Sequence, residues 1–417
     1  MHDSEHLESD VAAIYRSERA RLLARLIGVL RDFDLAEDAL QDAFIAAMQS
    51  WPVTGMPMNP AGWLMTAAKR KAIDRIRAAG AEQRRGREWG ELAIAFTSGH
   101  PHDSIIDDRL RLIFTCCHPA LAMDAQVALT LRTIGGLSTA EVGKAFVVSE
   151  TTLAQRLVRA KRKIRQSRIP YTVPPDAELP TRLDSVLTVI ELIFNAGYLA
   201  NDGAELTRID LSDEAKRLAL LVVDLMPGRP EPIALAALIH LLDARRAARA
   251  DNAGNPLTLE EQDRELWDRR QIMVGLDLLG RSVNLGAPGA YALKASIAAV
   301  HSSTRDALDT DWNEIVRLYD LLSALEPSPV VALNRAVAVA MAGRPTDGLR
   351  LLNEPEIADA LGGYHLFHAT RADLLRRAGS TEQAAEAYST ARGLTQNMAE
   401  HMYLDRRLRQ LREGAAL

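Results

Sequence analysis

Cysteine is almost missing from this chain. There are two in 417 residues, Cys116 and Cys117, and they are adjacent. Neighbouring cysteines make poor disulfide partners, so no covalent framework is expected and a reducing compartment is. Aromatic residues amount to 5%, and strand-like alternation is rare, which argues against a β-rich fold. Long hydrophobic runs are also lacking: a stretch such as Leu218 to Met226, itself interrupted by Asp224, reaches about half of a ~20-residue bilayer span. The N-terminus, MHDSEHLESD, is acidic and polar, unlike a signal peptide. A cytoplasmic protein with no membrane association is expected. No P-loop, dinucleotide-binding glycine motif, H-E-x-x-H or nucleophile elbow occurs, so the expectation is no enzyme and no cofactor. His100 and His102, upstream of Cys116, Cys117 and His118, do not complete a metal site, because no C-x-x-C pair is present. The two cysteines read as buried structural residues.

What is there is ordinary in bulk and uneven in detail. Hydrophobic residues make up 47% and charged residues 25% of a chain long enough for two to four domains. Residues 1–168 carry 24 Lys/Arg against 20 Asp/Glu, whereas 169–417 carry 26 against 35. A basic half followed by an acidic half places nucleic-acid contact in the first. Clustering sharpens this. Positions 156–168 hold seven basic residues and no acid, 69–87 hold eight basic residues and two acids, and 32–42 hold five acids and no base.

Ala, Leu and Arg dominate, and nearly every segment reads as helix. Helices are predicted over Leu7–Leu30, Leu35–Ser50 and from Ala61 to about Ala79. Between the last two lies a loop, Trp51–Pro60, with three prolines and one glycine. Residues 80–104 are polar and Gly-punctuated, a linker. Helices resume at Ser104, break at Gly135-Gly136, and resume with Ser138 as an N-cap. Four prolines between Pro170 and Pro180 mark a second boundary. Beyond it, Ala336, Gly343, Gly348 and Leu352 recur thirty-six positions later as Ala372, Gly379, Ala384 and Tyr388. That spacing and those small residues suit tetratricopeptide-like helix pairs, with a concave groove for a peptide or small partner. His365 and His368 beside Arg371 are candidates to line a pocket there.

Three constellations carry chemistry. In LSTAEVGKAFVVSETTLAQRL (137–157), Val142, Phe146, Val148, Leu153 and Leu157 supply the apolar contacts of a helix-turn-helix. Gly143 supplies the close approach, the turn falls at Val147–Ser149, and Ser149 caps the second helix. Thr152, Gln155, Arg156 and Arg159 then lie on a face that fits a major groove, with Lys161, Arg162, Lys163 and Arg165 behind it for phosphates. In AEDALQDAF (36–44), Leu40, Ala43, Phe44 and Ala47 share one face, and Glu37, Asp38, Gln41 and Asp42 the other. Such an acidic face repels DNA and suits a basic protein surface. Third, the loop Trp51–Pro60 leads into Gly62-Trp63-Leu64 and the basic helix carrying Lys69, Arg70, Lys71, Arg75 and Arg77, an arrangement suited to single-stranded DNA and an unstacked base.

In this order and spacing the three motifs resemble the sigma-70 family, and specifically its extracytoplasmic-function group. The resemblance covers about residues 7–168. It implies that AEDALQDAF docks on the clamp helices of the polymerase β′ subunit. GWLMTAAKRKAIDRIR (62–77) then opens and reads the −10 element, and LSTAEVGKAFVVSETTLAQRLVRAKRKIR (137–165) reads the −35 element while region four meets the β flap. DDRLRLIFTCCHPAL (107–121), TDWNEIVRLYDLL (310–322), PSPVVALNRAVAVA (327–340) and YHLFHATRADLLRR (364–377) resemble a subgroup whose C-terminal domain is tetratricopeptide-like. Ala154 departs from the Lys or Arg of many relatives, and Val147 from the turn glycine frequent in helix-turn-helix proteins.

The resulting expectation is an all-α protein: region two over 1–80, a linker over 81–104, region four over 105–168, a Pro-rich linker over 169–181 and a helical regulatory extension over 182–417. Core polymerase is assigned Glu37, Asp38, Gln41 and Asp42. The −10 strand is assigned Trp63, Lys69, Arg70, Lys71, Arg75 and Arg77. The −35 element is assigned Ser149, Thr151, Thr152, Gln155, Arg156, Arg159, Lys161 and Arg162. A regulatory protein or small ligand is expected at the extension. The competing reading is a helix-turn-helix regulator with a tetratricopeptide-like sensing domain.

Overall fold

The computed structural model describes residues 2–80, 104–145, 148–175, 177–198, 207–251, 256–395 and 398–414. Among them there is no β-strand, only an isolated bridge between Ala250 and Pro256. Phe146 and Val147, placed by sequence in the helix-turn-helix, and His100 and His102 fall outside the described residues. The chain forms two compact units, Met1–Ile193 and Phe194–Leu417.

The first unit begins with α1 (His2–Leu30), α2 (Phe33–Thr54) and α3 (Pro60–Gly80). Arg31 takes a positive φ of 53° and ends α1, and the Asp32 carboxylate then caps α2 by accepting from the Asp34 and Leu35 amides at 3.0 and 3.1 Å. On α2 the buried residues Phe33, Ala36, Leu40, Ala43, Ala47 and Trp51 repeat at three and four, which leaves the carboxylates on the opposite face. The helix runs further than its sequence suggests. It continues through Pro52 to Thr54, so the loop shortens to 55–59. Proline this near a helix end sacrifices one amide bond. The turn is held by Trp51, 1% exposed, whose ring meets Trp63 edge-on with centroids 5.4 Å apart.

Next come α4 (Ser104–Cys116), α5 (Met123–Thr130) with a π-helical turn at Leu131–Gly135, α6 (Thr139–Ala145) and α7 (Glu150–Gln166). Cys116 and Cys117 are buried, and their thiols lie 3.3 and 3.4 Å from the hydroxyls of Thr133 and Thr130. Burial pushes the Cys117 thiol up to about 12, so it stays protonated and unreactive. Arg19, 6% exposed, reaches from α1 to donate to the carbonyls of Arg132 and Thr133, both at 3.1 Å. The Pro-rich segment is packed rather than loose. Tyr171 is 6% exposed, and its hydroxyl lies 2.7 Å from the Ala24 carbonyl oxygen and 3.1 Å from that of Asp108. Gly28 permits this, since a Cβ there would stand 3.3 Å from the Tyr171 ring. The next helix, α8 (Leu179–Tyr198), contains the break between the units, and near its start Arg182 donates to the Phe114 carbonyl at 2.6 Å.

The second unit continues with α9 (Thr207–Leu225), α10 (Pro230–Asp243), α11 (Arg269–Asn284), α12 (Ala290–Ser302) and α13 (Trp312–Leu325). It closes with α14 (Pro329–Met341), α15 (Pro345–Leu352), α16 (Pro355–Leu361), α17 (His365–Arg377), α18 (Thr381–Leu394) and α19 (Met398–Gly414). Helix α10 is buried on nearly every side, as its continuous apolar sequence requires. The thirty-six-residue repeat appears as two helix pairs. Gly343 and Gly379 take φ of +85° and +81° at the turns of α14–α15 and α17–α18. Ala336 with Leu352, and Ala372 with Tyr388, are fully buried inside each pair. At Gly348 a Cβ would come within 2.7 Å of the Ala336 carbonyl, so the first pair needs glycine where the second accommodates Ala384.

Candidate nucleic-acid interface

Among the described residues of the helix-turn-helix, the caps and the close approach fall where the sequence places them. Ser138 and Glu141 form a capping box: the Ser138 hydroxyl accepts from the Glu141 amide at 3.1 Å, and the Glu141 carboxylate accepts from the Ser138 amide at 2.6 Å. Gly143 is the point of closest approach, since a Cβ there would lie 2.8 Å from the Val148 carbonyl oxygen. The Ser149 hydroxyl accepts from the Thr152 amide at 3.2 Å and starts α7. Leu153, Leu157, Ala160 and Ile164 turn into the core. Thr151, Thr152, Gln155, Arg159 and Arg162 are exposed together on the outer face. Arg156 is half-buried and lies 3.3 Å from Asp124.

Lys161, assigned to the −35 element, sits apart from this outer face. Lys161 stands four residues after Leu157 and three before Ile164, on the flank of the buried stripe rather than on the outer face. Its ammonium lies 2.9 Å from Glu37 and 3.0 Å from Asp34, both on α2. Burial works to lower its pKa, but the two carboxylates outweigh it and hold the ammonium above the ordinary lysine value. Arg165 adds a longer contact to Asp34 at 3.5 Å. Ser149, also assigned to DNA, is occupied as a cap.

On α2 the four assigned residues keep one face. Asp42 meets the Arg75 guanidinium at 2.9 Å and Asp38 meets it at 2.5 Å. Hydrogen bonding to Asp42, then the charges of Asp42 and Asp38, hold Arg75 above the ordinary arginine value. Gln41 is exposed. Two cations that sequence assigns to DNA, Arg75 and Lys161, are thus engaged by the carboxylates that sequence assigns to a protein partner. Asp34 went unselected, although it lies one turn before Glu37 and so shares its side of the helix.

On α3, Arg70, Lys71 and Arg77 are exposed, and Trp63 is half-buried against Trp51. Lys69 is half-buried, and burial, then the charge of Arg25, lower its pKa. The Asn59 side chain caps α3 by accepting from the Gly62 amide at 2.9 Å. Beside it Val53, Met56 and Met58 are exposed, an apolar rim that the sequence reading passed over. In the second unit, His365 lies 2.9 Å from Glu400 and His368 lies 2.8 Å from the Gly362 carbonyl.

Comparison with known proteins identifies the two modules of the first unit. Residues 14–82 match Sigma-70 region 2 and residues 111–164 match Sigma-70, region 4, while 182–283 match a family of unknown function, DUF6596. An uncharacterized protein of Rhizobium meliloti (strain 1021) is 39% identical over 404 residues, 95% of this chain and 94% of that protein. The ECF RNA polymerase sigma factor SigK of Mycobacterium sp. (strain KMS) is 30% identical over 35% of this chain and 76% of its own length. The probable ECF RNA polymerase sigma factor SigI of Mycobacterium tuberculosis (strain ATCC 25618 / H37Rv) is 29% identical over 40% of this chain and 58% of its own length. Among the described residues no helix is long and apolar enough to cross a membrane. The chain belongs to the extracytoplasmic-function group of the sigma-70 family, sigma factors that bind core RNA polymerase and promoter DNA to direct transcription initiation, and it carries a helical C-terminal extension.

Proposed function

We propose that initiation by this sigma factor proceeds through an exchange of partners at α2. Glu37, Asp38, Gln41 and Asp42 dock on the β′ clamp helices of core polymerase, and region four meets the β flap. In the free chain Arg75 and Lys161 occupy three of these four residues. Polymerase cations replace them, and that releases Arg75 toward the −10 strand and α7 toward the −35 element. Thr151, Thr152 and Gln155 then meet base edges, while Arg156, Arg159 and Arg162 meet phosphates. Trp63, with the exposed Met56 and Met58 beside it, borders the place for an unstacked base, and Lys69, Arg70, Lys71, Arg75 and Arg77 neutralise the strand.

The observation that carries the reading is the placement of Gln155, Arg159 and Arg162 on one open face of α7 while Lys161 turns away to Glu37. The extension, proposed over 182–417, modulates this exchange in response to a regulatory protein or small ligand. The decisive experiment is in vitro transcription on genomic fragments with purified core polymerase, with and without the protein. Specific initiation that depends on the protein supports the reading. Protein-dependent binding of DNA without core, and no initiation with it, overturns the partner exchange.

A further inference from the structure

Within the second unit a cavity of about 370 Å³ opens between α13, α14, α17 and α19. Its walls are largely aromatic and aliphatic: Trp312, Tyr319 and Tyr403 line it with Ile315, Val337 and Leu366. His301, 8% exposed, also lines it, and its Nδ1 is buried without a hydrogen-bond partner. A buried polar atom left unsatisfied costs about 1–3 kcal/mol, so a small turn of the His301 ring that brings Nδ1 to the cavity wall is repaid when a ligand bonds it. Burial, then the charges of Arg245 and Arg264, pull the His301 pKa down to about 3, so the imidazole is neutral.

The segment 256–262 decides what fits. Thr258, Leu259 and Glu260 form one wall of the cavity. Glu260 pairs with Arg377 on α17, and Glu261 pairs with Arg406 and Arg407 on α19, each at 3.2 Å. Arg406 also donates to the Pro256 carbonyl at 3.2 Å. These ties turn one end of the groove into a pocket. Its size lies at the lower end of the roughly 300–1,000 Å³ of small-molecule sites, whereas five residues of extended peptide need about 17 Å of open groove. Charge is balanced within the wall: Arg377 bridges Glu260 and Asp373, and Arg407 is met by Glu261. An ionic ligand has to break one of these pairs, while a neutral one does not.

We propose that this pocket binds a small uncharged molecule with an aromatic body and one hydrogen-bonding group, which partners His301 Nδ1 while the ring packs on Trp312 and Tyr319. Asn334 and Thr370, at the wall with side chains that both donate and accept, supply further polar contacts. The inference rests on the reading of the extension as the regulated part, but its test does not: binding is read on the full-length protein alone, without polymerase.

The probe is N-phenyl-1-naphthylamine, a neutral amine whose fluorescence rises in apolar surroundings. Its sulfonated counterpart, 1-anilinonaphthalene-8-sulfonate, presents the same ring system as an anion. The expected result is saturable binding of the neutral probe, with the sulfonate weaker by about tenfold or more. Thr370→Trp, which fills the cavity, abolishes it. Asn334→Trp, at an exposed position on the rim, does the same if Thr370→Trp melts early by circular dichroism. His301→Phe keeps the volume, removes the orphan nitrogen and weakens binding by about three- to tenfold. Absence of saturable binding, or equal affinity in the filled variants, overturns the site. Equal or tighter binding of the sulfonate overturns the neutral ligand class. Binding without any effect of the extension on transcription leaves the site standing and removes its regulatory role.

Discussion

Lys161 of α7 lies 2.9 Å from Glu37 of α2, so a residue of the helix-turn-helix is fastened to the helix proposed to meet polymerase. Both side chains are mostly buried, at 11% and 16% exposure. Lys161→Ala leaves Glu37 and Asp34 without that cation and is expected to lower stability by about 1–2 kcal/mol. Because the same carboxylate becomes available, core polymerase is expected to bind about three- to tenfold tighter. Titration of fluorescent core with the two proteins checks this, and weaker binding by the variant places Lys161 at the polymerase instead. The folded-state pKa of Lys161 is raised, so its contribution to stability is complete below the ordinary lysine value of 10.5 and lost as pH rises through the higher folded value. The stability difference between wild type and Lys161→Ala is therefore constant near neutrality and closes only in strong alkali.

Asp38 and Asp42 share Arg75 at 2.5 and 2.9 Å. Replacing both with arginine puts three cations together and reverses the charge of the proposed docking face. Core affinity is expected to fall by about ten- to a hundredfold, the few kcal/mol of a lost complementary charge set. Helical content by circular dichroism is expected to hold, since both residues lie on the solvent side of α2. A pull-down in which the double variant retains core as well as wild type removes the docking assignment.

Gln155 and Arg162 separate reading from holding. Gln155→Ala is expected to change the preference among −35 sequences, because a carboxamide reads a base edge. Arg162→Ala is expected to weaken all sequences alike and to reduce the log–log salt slope by about one, the signature of one phosphate contact. A promoter library bound by the holoenzyme distinguishes the two, and uniform loss for Gln155→Ala turns that side chain away from the bases.

These positions show what a single sequence makes legible. Gly143, Ser149, Leu153 and Leu157 are local: spacing, a cap and a close approach determine them, and the structure repeats them. The pairs Ala336–Leu352 and Ala372–Tyr388 were legible for a related reason, since a repeat displays its packing twice. The ion pairs of Lys161 were not legible, because its surroundings are set by α2, more than a hundred residues away, and a helical wheel does not show what stands opposite. Periodicity did separate its flank from the face of Gln155 and Arg159, a signal that the density of basic residues over 156–168 obscured. The prolines and glycine of 51–60 place Pro52 in a loop by sequence, whereas the Trp51–Trp63 contact outweighs one missing amide bond.

Tyr171 was hidden by its setting among prolines. Its hydroxyl meets two carbonyls, on α1 and on α4, from a site where it is 6% exposed. Tyr171→Phe keeps the ring and removes the one hydroxyl hydrogen that the two carbonyls share, at a cost of about 1–2 kcal/mol. Tyr171→Ala also removes the ring and costs about 3–5 kcal/mol. Chemical denaturation of the full chain resolves the two, and a Tyr171→Phe protein as stable as wild type shows that the hydroxyl bonds have no net value.

The position of Tyr171 changes how the extension is to be tested. A cut after Arg168 removes Tyr171 and also Arg182, which donates to the Phe114 carbonyl. Lost activity in that fragment reports damage to the first unit, whatever the extension does. A cut after Tyr198 keeps both residues and all of α8, and removes most of the second unit, which begins at Phe194. If the extension masks the first unit, this longer fragment transcribes better than the full chain. If it braces the two sigma regions in a productive arrangement, the fragment transcribes worse, and a structure with eleven further helices among the described residues favours bracing. The expected outcome is a loss of about tenfold in specific initiation with the melting of the first unit unchanged. Equal initiation by the two proteins refutes masking and bracing together and makes the extension an independent binding module.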